Sequence, residues 1–224
     1  MRSCWKTGSR GPGPALSASS RPVSWHPRRM DDLERLAPRT PDAPALPEGV
    51  PPLTTEGHVC DECALDFARM TVDDVREIVA AVPQQARDLL DAHPEESWRV
   101  PGADGSWSAA EYLCHVRDVF AVFTIRLHRA RTEVDPPLEP MLNDLRARRF
   151  DYAHAELRPV VDQLRAHVGG FLAELDRIGE GEWAREVHRY PGEQRTALWL
   201  ARQAAHEGRH HLRDIGGALR AREQ

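Results

Sequence analysis

The 224 residues carry a formal net charge of −5 and include 18 prolines, 15 glycines and four cysteines. This length allows one domain plus tails, and so few cysteines exclude a small secreted disulfide scaffold and favour a reducing compartment. No apolar run is long enough for a signal peptide or a membrane span, so the expectation is a cytoplasmic protein with no membrane partner.

Residues 1–29 hold Arg2, Lys6, Arg10, Arg21, Arg28 and Arg29 and no carboxylate, so removing their +6 from the total of −5 leaves −11 on residues 30–224. An acidic folded part repels phosphate backbones, so no nucleic-acid partner is expected. Residues 1–57 are rich in Pro, Gly, Ser and Arg without sustained periodicity and read as a disordered leader. Met30 opens the more acidic stretch and is a second candidate start of translation. Residues 58–70 form a lead-in segment carrying Cys60 and Cys63, and residues 71–224 form the helical domain.

The first long helix is predicted over Val72–Ala92, where Val72, Val75, Val79, Val82, Ala86 and Leu89 make one apolar stripe. Thr71 is its N-cap, Asp73 and Asp74 fill the first turn, and Pro83 should kink or divide it. The second begins at Ser108, with Glu111 at capping-box spacing, and runs to about Arg131. Its stripe includes Leu113, Val116, Phe120, Phe123 and Leu127. The next stretch, Thr132 to Tyr152, contains Pro136, Pro137 and Pro140 and space for a short helix near Leu142–Arg149. It is too long for a tight antiparallel hairpin and suits helices that are parallel neighbours or diagonal partners. The third helix follows Leu157, Val161, Leu164, Val168, Phe171, Leu175 and Ile178, stopping at Gly179 and Gly181. The fourth spans about Thr196–Leu219. Four amphipathic helices and no convincing strand define an all-α four-helix bundle with a long connection between helices two and three.

The fourth helix contains His206-Glu207-Gly208-Arg209-His210-His211, in which His206/His210 and Glu207/His211 each have the four-residue spacing of one helix face. At about 100° per residue, His211 and Glu207 fall at the edge of the apolar arc, and His206 and His210 fall on the solvated side near Arg202, Arg209 and Arg213. A zincin needs both histidines of His-Glu-x-x-His on one ion, and this wheel turns them outward. His115, beside the stripe of the second helix, is the candidate third donor. Two imidazoles and one carboxylate leave an open position, the pattern of a catalytic zinc site that nickel, manganese or iron could also occupy. Core or boundary histidines with an ordinary helix-face ion pair are the competing reading of the same residues.

The segment Gly105-Ser-Trp107-Ser108-Ala-Ala-Glu111-Tyr-Leu-Cys-His115 resembles the start of the second helix in the DinB-like superfamily, and Glu207-x-x-x-His211-Leu-Arg-Asp214-Ile215 resembles that family's closing motif. The resemblance covers roughly residues 70–219, and the Glu form is similar to the mycothiol-dependent maleylpyruvate isomerases. It implies a four-helix bundle with a divalent ion, most simply zinc, on His115, Glu207 and His211. It also implies a thiol transferase or isomerase reaction between an electrophile and a low-molecular-weight thiol such as mycothiol. Glu207 and the histidines would then be ligands rather than bases, with His210 or Asp214 backing them. No catalytic acid, base or nucleophile is identified. The other expectation is a non-catalytic, metal-stabilised bundle acting as a stress-related binding or scaffold protein.

His58-Val-Cys60-Asp-Glu-Cys63 has the spacing of a zinc knuckle or redox pair, but no second cysteine pair completes a ribbon. Packing against the bundle is its other reading. Cys114 reads as a buried small side chain, and Trp98, Trp107 and Trp183 as core anchors. A homodimer is expected on the general frequency of two-fold assemblies alone.

Overall fold

The structure is a computed structural model that describes residues 52–102, 105–189 and 192–221. The expected leader lies outside the described residues as far as position 51.

Helix α1 spans Val72–Ala92. Thr71 Oγ1 accepts from the Asp74 amide, and the Asp74 carboxylate accepts in return from the Thr71 amide at 2.8 Å. Val75, Val79, Val82, Ala86 and Leu90 are buried. Pro83 lies inside one continuous helix, so of the two outcomes expected of it division does not occur. Its ring is buried, and the one hydrogen bond it withholds, from the Val79 carbonyl, does not outweigh the packing of that face. The four-residue α2, Glu95–Trp98, delivers Trp98 fully into the core.

Helix α3, Ala109–Thr132, opens on a reciprocal cap between Ser108 and Glu111. The long connection holds α4, Asn143–Arg149, and a single 3-10 turn at Tyr152–His154. Helix α5 is Leu157–Leu175, with Pro159 in its first turn. A small antiparallel hairpin follows, β1 Glu186–His188 against β2 Gln194–Thr196, with Glu186 opposite Thr196. No sequence pattern signals it, because three-residue strands are too short to show alternation. Helix α6, Ala197–Arg220, is capped by Thr196, whose Oγ1 accepts from the Trp199 amide at 3.0 Å.

Each of α1 and α3 packs against both α5 and α6, so α1/α3 and α5/α6 are the diagonal pairs. Side-chain bridges fix the directions. Arg117 donates to Gln163 and Arg131 to Glu174, so α3 and α5 run parallel. Arg76 pairs with Asp176 and Arg87 with Asp162, so α1 and α5 run antiparallel. Parallel neighbours require the chain to travel back along the bundle before starting α5, which accounts for the long connection.

That connection is fastened by Asp118 of α3. Its carboxylate accepts from Tyr152 Oη, from Arg146 on α4 and from Arg117 at 2.8 Å. Where α6 is flanked by α1 and α3 it carries Gly208, at which a Cβ would lie 3.0 Å from both Phe120 Cζ and Val82 Cγ2. The lead-in folds across the outer side of α6: the Phe67 amide donates to His58 O, and Phe67 is completely buried. Leu53–Glu56, expected as loose leader, are tied down instead. The Leu53 amide donates to Glu193, Arg195 donates to Thr54 O, and Glu56 accepts from the Thr196 amide. These bonds are single and long-range, and composition does not encode them. No helix among the described residues is long and apolar enough to cross a membrane.

Candidate metal centre

The antiparallel faces of α3 and α6 bring His115, Glu207 and His211 to one point. Glu207 and His211 sit one turn apart on α6, as i,i+4 spacing dictates. His115, 3% exposed, meets them from α3. Both imidazoles address the same carboxylate oxygen: His211 Nε2 lies 3.1 Å and His115 Nε2 3.4 Å from Glu207 Oε2. The two rings stand edge to face at 4.9 Å. Trp107 packs its edge against His115, and Tyr112 stacks on His211. Trp107, expected as a core anchor, is half-buried and borders the site.

The far sides of Glu207 and His211 are held. Gln203 Nε2 donates to Glu207 Oε1 at 2.7 Å, and Gln203 Oε1 accepts from Thr54 Oγ1 at 2.8 Å. His211 Nδ1 lies 2.7 Å from Asp214 Oδ2. Burial opposes charge on Glu207, but its two imidazole partners overcome burial and hold the carboxyl well below the usual range. Burial likewise opposes charge on His211, and the Asp214 and Glu207 carboxylates outweigh it, pushing this imidazole up to about 9. An ion bound here would displace the His211 proton and take its place beside the Glu207 carboxylate.

The donors open onto a cleft of about 790 Å³, within the range of small-molecule sites. Its lining includes Leu53, Trp107, Phe123 and Trp199, together with Arg126, Arg148 and Arg189. Arg126 makes no ion pair among the described residues. Burial, and then the nearby Arg189 cation, depress its guanidinium to about 10. It rests 4.8 Å from the Phe123 ring centroid.

His206 and His210 do not face solvent as the helical wheel implied. His206 is buried, and His210 Nδ1 lies 3.4 Å from Cys60 Sγ. The wheel describes α6 alone, whereas the lead-in covers that side. Glu207 pairs with His115 and His211 and not with the point where His206 and His210 meet Cys60 and Cys63, so the zincin arrangement does not form among the described residues. Asp214 Oδ2 backs His211 at 2.7 Å and lies 3.7 Å from His210 Nε2, whose ring stands 5.4 Å from that of His211. Cys114 is fully buried, and burial pushes its thiol up to about 11. Gln203 and Arg126 were missed, although both had a signal. Gln203 precedes Glu207 by one turn, and Arg126 follows His115 by about three turns on the same face.

A helical bundle in which two facing helices converge imidazole and carboxylate donors on a small-molecule cleft is a recognisable class of protein. The DinB superfamily profile matches residues 78–215, and the chain belongs to that superfamily. Among solved structures, YfiT from Bacillus subtilis matches with a TM-score of 0.59 at 18% identity, over 74% of this chain and 93% of its own. YfiT is described as a probable metal-dependent hydrolase with an unusual four-helix bundle topology. At this identity the likeness is one of fold. No curated protein matches the chain significantly.

Proposed function

We propose that the protein is a divalent-metal enzyme, with one ion held by His115, Glu207 and His211, that joins a low-molecular-weight thiol to a small electrophile bearing a carboxylate. The carrying observation is the approach of two imidazole nitrogens to one carboxylate oxygen, at 3.1 and 3.4 Å, at the wall of an open cleft. Donors around a tetrahedral ion with bonds of about 2.0–2.1 Å are separated by about 3.3 Å, so this donor set fits. Two nitrogens and one oxygen suit zinc, with nickel, manganese and iron as competitors.

When bound, the ion would supply Lewis acidity that favours the thiolate form of the co-substrate at neutral pH. The chain's own residues do the remainder. Gln203 and Asp214 fix the orientation of Glu207 and His211. Trp107, Phe123 and Trp199 exclude water from the cleft wall. Arg126 offers an anionic substrate group a cation with no competing ion pair among the described residues.

A second reading, hydrolysis with water in place of the thiol, is favoured by the fold likeness to YfiT. Elemental analysis of protein purified without a histidine tag tests the centre. The expected result is a bound divalent ion that His115→Ala and His211→Ala each lose. Metal-loaded protein is then assayed on carboxylate-bearing electrophiles with mycothiol and without any thiol. Metal-dependent thiol consumption supports transfer, and turnover in water alone supports hydrolysis. Wild-type protein that never acquires metal at this centre, or never turns over either way, overturns the enzyme reading.

A further inference from the structure

We propose that Cys60, Cys63, His206 and His210 form a second, structural zinc site on the neighbouring flank of α6, which clamps the lead-in segment to the bundle. The four donors come from two segments of chain, and one ligand atom from each lies within 4.8 Å of all the others. Cys60 Sγ and His210 Nδ1 are 3.4 Å apart. Two sulfurs and two nitrogens are a tetrahedral zinc donor set with no open position, which marks a structural rather than a catalytic site.

Three further observations point to an ion. Both ring nitrogens of His206 are buried with no hydrogen-bond partner, while His58 and Phe67 close over the ring. Buried polar atoms left without partners are costly, and a metal bond to one nitrogen relieves this. The cysteine turn is built as a knuckle: the Cys60 amide donates to Leu65 O and the Ala64 amide to Cys60 O, each at 2.9 Å. Ala64 closes the turn at φ 57°, a left-handed conformation that a non-glycine residue keeps only when its surroundings enforce it. Behind the ligating nitrogen, His210 Nε2 lies 3.7 Å from both Glu62 and Asp214 carboxylates, which orient the ring.

The charge balance suits burial. Each thiol loses its proton to solvent as zinc binds, and two thiolates with two neutral imidazoles make the occupied site neutral. The consequence is mechanical. The clamp holds the segment whose upstream end, Thr54, supports Gln203 beside the other centre.

The test uses the full chain, expressed without a histidine tag and kept reduced. Wild type should contain two equivalents of zinc. Cys60→Ser combined with Cys63→Ser should keep one, and His115→Ala should keep the other. With cobalt(II) replacing zinc, thiolate-to-cobalt charge-transfer absorption should appear in wild type and His115→Ala and vanish in the cysteine variant. In native wild type, peptide mapping after alkylation should find Cys60 and Cys63 protected until a chelator is added. Ready alkylation of both thiols in zinc-loaded protein, no charge-transfer absorption in the wild-type cobalt form, or a Cys60–Cys63 disulfide would each overturn the proposal, and none of these depends on a variant folding. A single equivalent that persists in His115→Ala and is lost with the cysteines would support this site while removing the enzymatic centre.

Discussion

Replacing Gln203 by Leu tests whether the Glu207 carboxylate is held in place or merely happens to lie near two histidines. Gln203 is 8% exposed, so a leucine of similar volume is accommodated without exposing new surface. What is lost is the 2.7 Å hydrogen bond to Glu207 Oε1, a bond to a charged acceptor worth about 1.5–3 kcal/mol. Metal-free protein should therefore unfold in urea with a deficit of about 1–2 kcal/mol, the buried leucine offsetting part of the loss. The larger signal is affinity. A carboxylate free to rotate away from His115 and His211 should bind zinc about 10–100-fold more weakly, read by competition with a chromophoric chelator. Thr54→Val, which removes only the bond behind Gln203, should give a smaller loss in the same direction. Unchanged zinc affinity alongside the stability deficit would refute the positioning role and leave Gln203 a core residue.

Asp118→Asn should destabilise the protein by about 3 kcal/mol at pH 7, because two arginines then face a buried neutral amide. Burial raises the Asp118 carboxyl, but hydrogen bonds from Tyr152, Arg146 and Arg117 outweigh it and hold it low. Its contribution is thus present above the unfolded pKa of about 3.9 and fades as pH falls through the folded value. The deficit should shrink below about pH 4, and a pH-independent deficit in urea titrations would contradict this. Gly208→Ala gains up to about 1 kcal/mol of helix propensity but drives a methyl against Phe120 and Val82, both locked in the core, at about 1–3 kcal/mol. A lowered melting temperature is expected, and a raised one would show that the helices can part. Arg126→Gln should raise KM about tenfold for carboxylate-bearing substrates and leave their neutral esters unchanged. Equal effects on both would remove Arg126 from anion recognition.

The helices were legible because their signals are local. Thr71 with Asp74 and Ser108 with Glu111 announce two starts through contacts three residues apart, and the apolar steps of α5 repeat without interruption. The convergence of His115 with Glu207 and His211 was legible because each residue borders an apolar stripe, and stripes must face one another. The surroundings of His206 and His210 were not. Their burial depends on a segment some 140 residues away, packed through Phe67 and a turn that has no periodicity. The ties from Leu53–Glu56 to Glu193, Arg195 and Thr196 escaped for the same reason. The helical wheel of α6 was correct for one flank and blind to what covers the other.

The donors and one part of the cleft's rim belong to different kinds of structure. His115, Glu207 and His211 ride on α3 and α6, together with Phe123 and Trp199 of the cleft wall, whereas Leu53, Met141, Leu142 and Arg189 reach the cleft from segments outside the helices. Loop segments accept replacement and insertion far more readily than packed helices do. A lineage could therefore exchange the rim, and with it the molecules admitted, while leaving the interhelical core untouched. Grafting foreign rim segments onto this scaffold would be the corresponding engineering route to new selectivity.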